Sequence, residues 1–364
     1  MIWECKICAK QWRHAVDKCL FCGGDVYTIR SNKFTVIGAT EVFVPSVEHE
    51  AVPYYSLLLE DEQGHKLIKK TFDEYDIGDT LVLGSSDTPN MIIGVIGAGT
   101  LGVGITHVAA ETGYSVILKS RNVDSLDKAR KKINKWLLKT RSEKEAFEIL
   151  DNIDFTVDMA LLRSANVIIE AVVEDIEVKK QLFRELGDIC PKDTILSSNT
   201  SSLSITELSS VVPNPERVVG MHFFNPVQKM LLVEVIRGDN TSEQTIESIK
   251  DLVTKLGKTY VITTDTPGFI VNRILMPLIN EAIQILENGN STAKEIDTAI
   301  KLGLNHPMGP LELADLIGLD VCLSIMDRLY SGLKEDKYKA RPLLLKLVND
   351  GKLGRKTGKG FYEY

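Results

Sequence analysis

The pattern of hydrophobic and polar positions changes period near residue 90. Before that point, short runs rich in β-branched and aromatic residues alternate with turn-forming stretches, a pattern typical of short strands. Five such strands are predicted, at 34–37, 41–44, 54–59, 66–70 and 79–83. Residues 84–90 are polar and turn-forming, so a domain boundary is expected there.

Beyond residue 90, apolar runs alternate with long helical periods, as in βαβ units built on a parallel sheet. Strands are predicted at 91–97, 115–118, 167–172, 194–197, 218–223 and 232–236. Helices are predicted over 100–112 and, in a highly charged stretch, over about 125–150. From about residue 267 only helical periods occur, which predicts a separate all-α domain over 267–364.

Composition narrows the class of protein. With 364 residues, 44% hydrophobic and 26% charged, the chain is typical of a globular protein with several domains. A net charge of −7 gives no global positive field that would attract nucleic acid or anionic lipid, so neither partner is expected. The chain has no apolar run of 18 residues and no secretion-signal pattern at its start, so a cytoplasmic protein is expected.

Four of the six cysteines lie within the first 22 residues, in the spacing Cys5-x2-Cys8-x10-Cys19-x2-Cys22. Two such pairs can bring four thiolates together around one ion and leave no ligand position open for chemistry. The pattern predicts a structural Zn²⁺ site, with a rubredoxin-like iron site as the alternative. Residues 1–30 are therefore interpreted as a zinc ribbon, and 31–90 as a small OB-like β-barrel.

A glycine motif follows the first strand of the second part and opens its first helix: Gly97-Ala98-Gly99-Thr100-Leu101-Gly102. In this context the glycines allow a tight turn, close approach of a pyrophosphate and close helix–strand packing. The helix N-terminus adds amide donors for the phosphates. The pattern predicts a Rossmann-type dinucleotide-binding domain over 91–266, with a purely structural glycine turn as the alternative.

The end of the second strand, about 20 residues further on, normally carries an acidic residue that binds the ribose hydroxyl of NAD. Here the chain has Ser120 and Arg121 instead. A hydroxyl and a guanidinium can donate hydrogen bonds to a 2′-phosphate, so the sequence favours NADP(H) over NAD(H). The alternative is that both residues belong to a solvated loop and that the cofactor is NAD.

Two further polar residues lie on strands that a short turn joins. His222 and Glu234 flank the turn through Asn225-Pro226, so their strands can be neighbours and the carboxylate can reach the imidazole. An imidazole oriented by a carboxylate is a good general base for a hydroxyl proton. Without such partners, a histidine among apolar residues is more often part of the core.

Several motifs in the same order closely resemble the 3-hydroxyacyl-CoA (3-hydroxybutyryl-CoA) dehydrogenase family. They are SNTSS at 198–202, HFFNP at 222–226, DTPGFIVNR at 265–273, HPMGP at 306–310 and KTGKGFY at 356–362. The resemblance runs from about residue 91 to residue 364. It implies that His222 is the catalytic base and acid and that Glu234 is its carboxylate partner.

The same resemblance assigns roles to other positions. Ser201 and Asn272 match the groups that hold the substrate oxygen near C3, and Asn225 matches a further active-site asparagine. Glu174 and Lys179 match cofactor contacts, and Asn199 would lie near the nicotinamide. The family's helical arm over the CoA phosphates falls on a basic stretch, for which a solvated helix face is the alternative; its members are Lys128, Arg130, Lys131, Lys132, Lys135, Lys139 and Arg141.

The sequence therefore predicts an NADP(H)-preferring (S)-3-hydroxyacyl-CoA dehydrogenase that interconverts 3-hydroxybutyryl-CoA and acetoacetyl-CoA. A homodimer formed through the C-terminal domain is also predicted. Two alternatives stay open. The hydride chemistry can act on a hydroxyacyl group bound to a carrier protein in polyketide-type biosynthesis, or the chain can be a zinc/OB interaction scaffold with an inactive dehydrogenase half.

The first 90 residues resemble a different module, the rubredoxin-like zinc ribbon and OB-fold of proteins associated with acyl-CoA enzymes. Besides the four cysteines, the residues that carry this resemblance are Pro53-Tyr54-Tyr55, Gly64 and the run 76–79. The resemblance implies docking of an acyl-transfer enzyme or an acyl carrier. Zinc ribbons and OB-folds also bind nucleic acid, but the acidity of the chain and the lack of a clear basic and aromatic stripe argue against it.

Overall fold

A computed structural model of the chain describes residues 2–5, 11–12, 26–29, 33–42, 54–62, 64, 66–71, 74–82 and 91–364. The first three segments, β1 (Ile2–Cys5), β2 (Gln11–Trp12) and β3 (Val26–Ile29), form an antiparallel sheet with β1 in the centre. Cys5 ends β1, whereas Cys8, Cys19 and Cys22 lie outside the described residues. Within the described ranges no cluster of His, Cys, Asp or Glu is arranged to hold a metal, and the zinc site stays a prediction.

A second antiparallel sheet has the strand order β6-β5-β4-β7 and a small apolar core that includes Phe34 and Leu59. Its strands are β4 (Lys33–Val42), β5 (Tyr54–Asp61), β6 (Lys66–Thr71) and β7 (Thr80–Val82). The prediction of separate strands at 34–37 and 41–44 is wrong, because β4 runs without a break from the first run through Glu41 and Val42 of the second. The register of β4 against β5 shifts between Val36 and Gly38, and this bulge interrupts the apolar alternation. Closure of the sheet into a barrel stays a prediction.

The dinucleotide-binding domain is built on an eight-stranded sheet of order β10-β9-β8-β11-β12-β13-β14-β15. All neighbours are parallel except β13 and β14, so the sheet is mixed where a parallel one is predicted. The strands are β8 (Ile92–Ile96), β9 (Ser115–Lys119), β10 (Ile153–Thr156), β11 (Val167–Glu170), β12 (Ile195–Ser198), β13 (Val218–Phe223), β14 (Leu232–Arg237) and β15 (Thr259–Thr264).

Helices cover both faces of this sheet and bury two apolar layers. They are α1 (Thr100–Glu111), α2 (Val123–Leu137), α3 (Glu143–Asp151), α4 (Ile176–Ile189), α5 (Ile205–Ser209) and α6 (Glu243–Lys255). Helices α1, α2, α3 and α6 contribute to one layer, and α4 and α5 contribute to the other. The charged stretch predicted as one helix is two, because Ser142 and Glu145 form a capping box that starts α3.

The C-terminal domain is all-α, as predicted, and packs around a third apolar core that includes Met276 and Leu311. Its helices are α7 (Val271–Glu287), α8 (Ala293–Gly303), α9 (Pro310–Ile317), α10 (Leu319–Leu333) and α11 (Pro342–Asn349). Buried Asp315 accepts the backbone N–H groups of Phe361 and Tyr362, which fastens the tail against α9. Within the described part of the chain, no helix has both the length and the apolarity to cross a bilayer.

Candidate active site

His222 and Glu234 form a buried pair in the sheet. They lie directly opposite each other on the antiparallel strands β13 and β14, and Nδ1 of His222 is 2.7 Å from Oε2 of Glu234. His222 is 6% exposed and Glu234 is fully buried. Since a carboxylate accepts, Nδ1 carries the proton of the neutral imidazole, which leaves the lone pair on Nε2 for proton transfer. The predicted pairing of these two residues is confirmed.

The second oxygen of Glu234 is held by the start of the helical domain. Oε1 accepts the backbone N–H groups of Ile270 at 3.0 Å and Val271 at 2.9 Å. These amides belong to the first turn of α7, where N–H groups lack partners within the helix and the helix dipole favours negative charge. Glu234 therefore orients the imidazole from one oxygen and is itself fixed by the other.

The glycine motif forms the turn between β8 and α1 that the fingerprint requires. Gly97 has φ +114°, and a Cβ at that position would lie 2.4 Å from the carbonyl oxygen of Ala171. A Cβ on Gly102 would lie 1.8 Å from the carbonyl oxygen of Gly97. A Cβ on Gly99, in contrast, would meet no protein atom within 4 Å. Two glycines thus pack the turn, and the third keeps open the space next to the helix N-terminus.

That space fits a pyrophosphate. Gly99 is the N-cap of α1 and provides no side-chain cap, and the first turn of α1, which includes Thr100 and Leu101, has no acidic residue. Amide donors and a positive dipole end therefore face an opening from which a side chain is missing. The arrangement suits the phosphates of a dinucleotide, as the sequence predicts.

Ser120 and Arg121 lie beside this turn, because the backbone N–H of Gly97 donates to the carbonyl oxygen of Lys119 at 2.9 Å. Ser120 is 8% exposed and its N–H donates to Thr156. Arg121 is exposed, and its guanidinium contacts no partner among the described residues. An exposed cation thus lies next to the glycine turn.

Glu174 accepts several hydrogen bonds from the loop after β12. Its Oε1 accepts hydrogen bonds from Thr200 Oγ1 at 2.7 Å, from the N–H of Ser201 at 2.9 Å and from Ser201 Oγ at 3.1 Å. Burial works to raise the pKa of Glu174, but the ammonium of Lys179 and these hydrogen bonds outweigh it and hold the pKa below its usual value. Glu174 is therefore a carboxylate at neutral pH.

Glu174 also lies next to a buried ion pair, of which the sequence predicts only Lys179 as a site residue. Nζ of Lys179 is 2.5 Å from Oε1 of Glu170 and 3.4 Å from Oε2 of Glu174. Ser198 Oγ donates to the other oxygen of Glu170 at 2.6 Å. Lys179 and Glu170 are 1% and 0% exposed, so this lysine supports the cofactor side of the site from below. Glu170 was missed because it reads as the polar end of an apolar strand.

The three predicted asparagines occupy different places. Asn199 Oδ1 accepts the N–H of Phe223 at 2.8 Å, which ties the ends of β12 and β13 together. Asn272, in the first turn of α7, donates from Nδ2 to the carbonyl oxygen of Ser201 at 3.2 Å. Asn225 is exposed in the turn between β13 and β14. The first two therefore join the His222 side of the site to the Ser201 loop.

One contact of the site was not predicted. Arg328, on α10, donates from Nη1 to Ser202 Oγ at 2.6 Å and from Nη2 to the backbone carbonyl of Glu174 at 3.1 Å. No motif marks this arginine, since it lies in an ordinary amphipathic helix more than 120 positions from its partners.

The seven basic residues between 128 and 141 do not share one environment. All five lysines are exposed, on α2 and beyond, namely Lys128, Lys131, Lys132, Lys135 and Lys139. Arg130 instead lies over the ring of Phe155 at 4.4 Å, and Arg141 pairs with Glu111 at 3.0 Å. Lys132 likewise lies over the ring of Trp136, at 5.0 Å.

A dinucleotide turn beside a buried histidine–glutamate pair defines an NAD(P)-dependent oxidoreductase. Two family models match consecutive parts of the chain: the NAD binding domain of 3-hydroxyacyl-CoA dehydrogenase over residues 92–266, and the C-terminal domain of that enzyme over 268–364. The chain belongs to the 3-hydroxyacyl-CoA dehydrogenase family.

Relatives agree with this assignment. A 3-hydroxybutyryl-CoA dehydrogenase of Clostridioides difficile is 48% identical over 284 residues, which cover 75% of this chain and 99% of that protein. The human mitochondrial hydroxyacyl-coenzyme A dehydrogenase is 43% identical, over 74% of this chain and 90% of that protein. The crystal structure of the (S)-3-hydroxybutyryl-CoA dehydrogenase PaaH1 from Ralstonia eutropha superposes with a TM-score of 0.73 at 39% identity, over 75% of this chain and 98% of that one. Both family models begin after the two N-terminal sheets.

Proposed function

We propose that this dehydrogenase interconverts (S)-3-hydroxyacyl-CoA and 3-oxoacyl-CoA, with 3-hydroxybutyryl-CoA and acetoacetyl-CoA as its short-chain substrates, and that it prefers NADP(H). The observation that carries the reaction is the buried pair of His222 and Glu234 at 2.7 Å. The names of the bacterial relatives support the short acyl chain.

In the oxidation direction, Nε2 of His222 removes the proton of the 3-hydroxyl group as the C3–H bond breaks. Glu234 stabilises the imidazolium that forms, and its Oε1 keeps its two amide donors throughout. In reduction, the protonated His222 returns its proton to the oxygen at C3. A bound nicotinamide supplies the hydride acceptor or donor for this step.

Ser201 and Asn272 are the proposed contacts to the substrate oxygen. The Ser201 hydroxyl, which donates to Glu174, would turn its proton toward the substrate oxygen, because the single proton of the 3-hydroxyl group is donated to His222. Nδ2 of Asn272 donates to the backbone of Ser201, which fixes the loop at the height of the first turn of α7. Oxygen binding is therefore coupled to the same helix that holds Glu234.

The residues around the glycine turn fit a nicotinamide dinucleotide. Gly97, Gly99 and Gly102 would shape the turn, and the amides of Thr100 and Leu101 would face the pyrophosphate. Glu174 and Asn199, whose Nδ2 has no partner within the described ranges, would contact the nicotinamide half. Buried Lys179 would act by holding Glu174.

The preference for NADP(H) rests on the region after β9. Arg121 is an exposed cation without a partner among the described residues, beside buried Ser120 and next to the glycine turn. No carboxylate stands at this strand end to repel a 2′-phosphate. The exposed lysines of α2 would bind the phosphates of CoA.

The deciding experiment is an acetoacetyl-CoA reduction assay on the full-length protein, with NADPH and NADH compared at several concentrations. We expect turnover with both cofactors and a lower KM for NADPH. Turnover with a lower KM for NADH would contradict the cofactor preference, whereas no turnover with either would contradict the proposed substrate.

A further inference from the structure

Arg328 connects the helical domain to the two loops that carry Glu174 and Ser202. Besides its hydrogen bonds to the Ser202 hydroxyl and the Glu174 carbonyl, its Nη1 lies 3.5 Å from Oε1 of Glu174. Another face of α10 packs into the core of the helical domain through Met326 and Leu329. The guanidinium therefore links the position of the helical domain to the position of the two loops at the edge of the sheet.

The positive charge of Arg328 balances the negative charge of a carboxylate that Lys179 shares with a second one. Lys179 lies within 4 Å of two carboxylates, Glu170 and Glu174, and is closer to Glu170. Without a second cation, the single ammonium of Lys179 would have to neutralise both carboxylates. Arg328 supplies that cation on the side of Glu174.

The contact is made at the edge of the site. The side chain of Arg328 is 32% exposed, and it borders a groove of about 380 Å³ that Asp320, Ser324 and Asp327 also line. Partly exposed ion pairs contribute little to global stability. Loss of this arginine is thus expected to disturb the geometry of the two loops more than the fold.

We propose that Arg328 is a positioning residue that holds Glu174 and the loop at Ser202 in their cofactor-binding arrangement. The inference rests on the proposed function in one respect, namely that Glu174 contacts the cofactor. Because the arginine comes from the helical domain, the affinity for the cofactor depends on how that domain sits against the sheet.

The test measures the Kd of NADPH and NADH by calorimetry, with the full-length protein and no substrate. Arg328→Met should raise the Kd of the preferred cofactor about tenfold, a loss typical of one hydrogen bond to a charged group. Arg328→Lys should restore part of the affinity, because an ammonium supplies the charge but not the two-pronged donor geometry. The melting temperature should change little.

Two further variants separate positioning from a structural role. Ser202→Ala removes one acceptor of the arginine, and its loss should not add to that of Arg328→Met, since both changes break the same hydrogen bond. Arg237→Met is the matched control. Arg237 is 34% exposed and pairs with Glu243 at 2.8 Å, so its loss should leave the Kd unchanged.

The outcomes distinguish the two proposals. A wild-type protein that binds neither cofactor would contradict the proposed function. A wild-type protein that binds normally, with an Arg328→Met variant of equal Kd, would overturn the role of Arg328. A variant that lowers the melting temperature but keeps the Kd would equally show that the arginine is only structural.

Discussion

At the scale of single residues, the active site depends on one carboxylate with two tasks. Glu234 gives one oxygen to Nδ1 of His222 and the other to two amides at the start of α7. A buried carboxylate with both oxygens engaged is held in one orientation, and so is the imidazole bonded to it. In the proposed mechanism, His222 is thereby oriented for proton transfer at Nε2 before the substrate binds.

His222→Gln is expected to lower kcat by about a hundredfold to ten-thousandfold, the usual contribution of a general acid or base. Glutamine can still donate to Glu234, so the variant should fold. Initial rates with acetoacetyl-CoA measure the loss, and circular dichroism checks the fold. An unchanged kcat would show that proton transfer runs through another group.

Arg121→Ala should lower kcat/KM for NADPH by about ten- to hundredfold and leave that for NADH almost unchanged, because only NADPH carries the 2′-phosphate. The matched change Ser120→Asp should act in the same direction and also improve NADH, since an acidic residue suits the ribose hydroxyl. If the ratio of the two kcat/KM values stays constant in Arg121→Ala, the guanidinium does not read the phosphate.

At the scale of elements, different glycines of the turn between β8 and α1 are needed for packing of the protein and for binding of the cofactor. Gly102→Ala would place a Cβ 1.8 Å from a backbone oxygen, whereas Gly99→Ala would meet no protein atom within 4 Å. We expect Gly102→Ala to lower both the melting temperature and the cofactor affinity. Gly99→Ala should keep the melting temperature and weaken cofactor binding, as measured by thermal scanning and calorimetry. Equal affinity in Gly99→Ala and wild type would argue that no phosphate approaches this position.

The sequence predicted the elements that have strong apolar runs and missed those at the edges of the sheet. β10 has four residues, and β15 is exposed or half-buried along its length, so neither shows the apolar run of a central strand. The pairing of His222 with Glu234 was predictable because a short turn joins their strands. Arg328 was not, since its contacts depend on how two domains pack and no local pattern records that.

At the scale of the whole molecule, the cysteines divide into two groups. Cys190 and Cys322 are buried, and burial raises their pKa values to about 11 and about 12 respectively. Such thiols form almost no reactive thiolate near neutral pH. The other four of the six belong to the predicted zinc ribbon.

A thiol reagent at pH 8 should therefore modify at most four cysteines of the native protein and all six in denaturant. Elemental analysis should find one zinc per chain, which is lost in Cys19→Ser and released as the four thiols react. Dehydrogenase turnover should survive zinc loss, because the proposed site residues all lie between 97 and 328 in the sequence. One iron per chain would overturn the assignment of the metal, and fast labelling of Cys190 or Cys322 would contradict their burial.

Because Glu234 contacts both the sheet and the helical domain, it also links the recovery of activity to the docking of that domain when the chain folds. The sheet contains His222 and Glu234, but the two amides that hold Oε1 belong to the helical domain. A refolding chain can thus regain its sheet while the imidazole still lacks its fixed partner. If the sheet forms before the helical domain docks, recovery of turnover should lag behind recovery of the sheet signal by the time that docking takes.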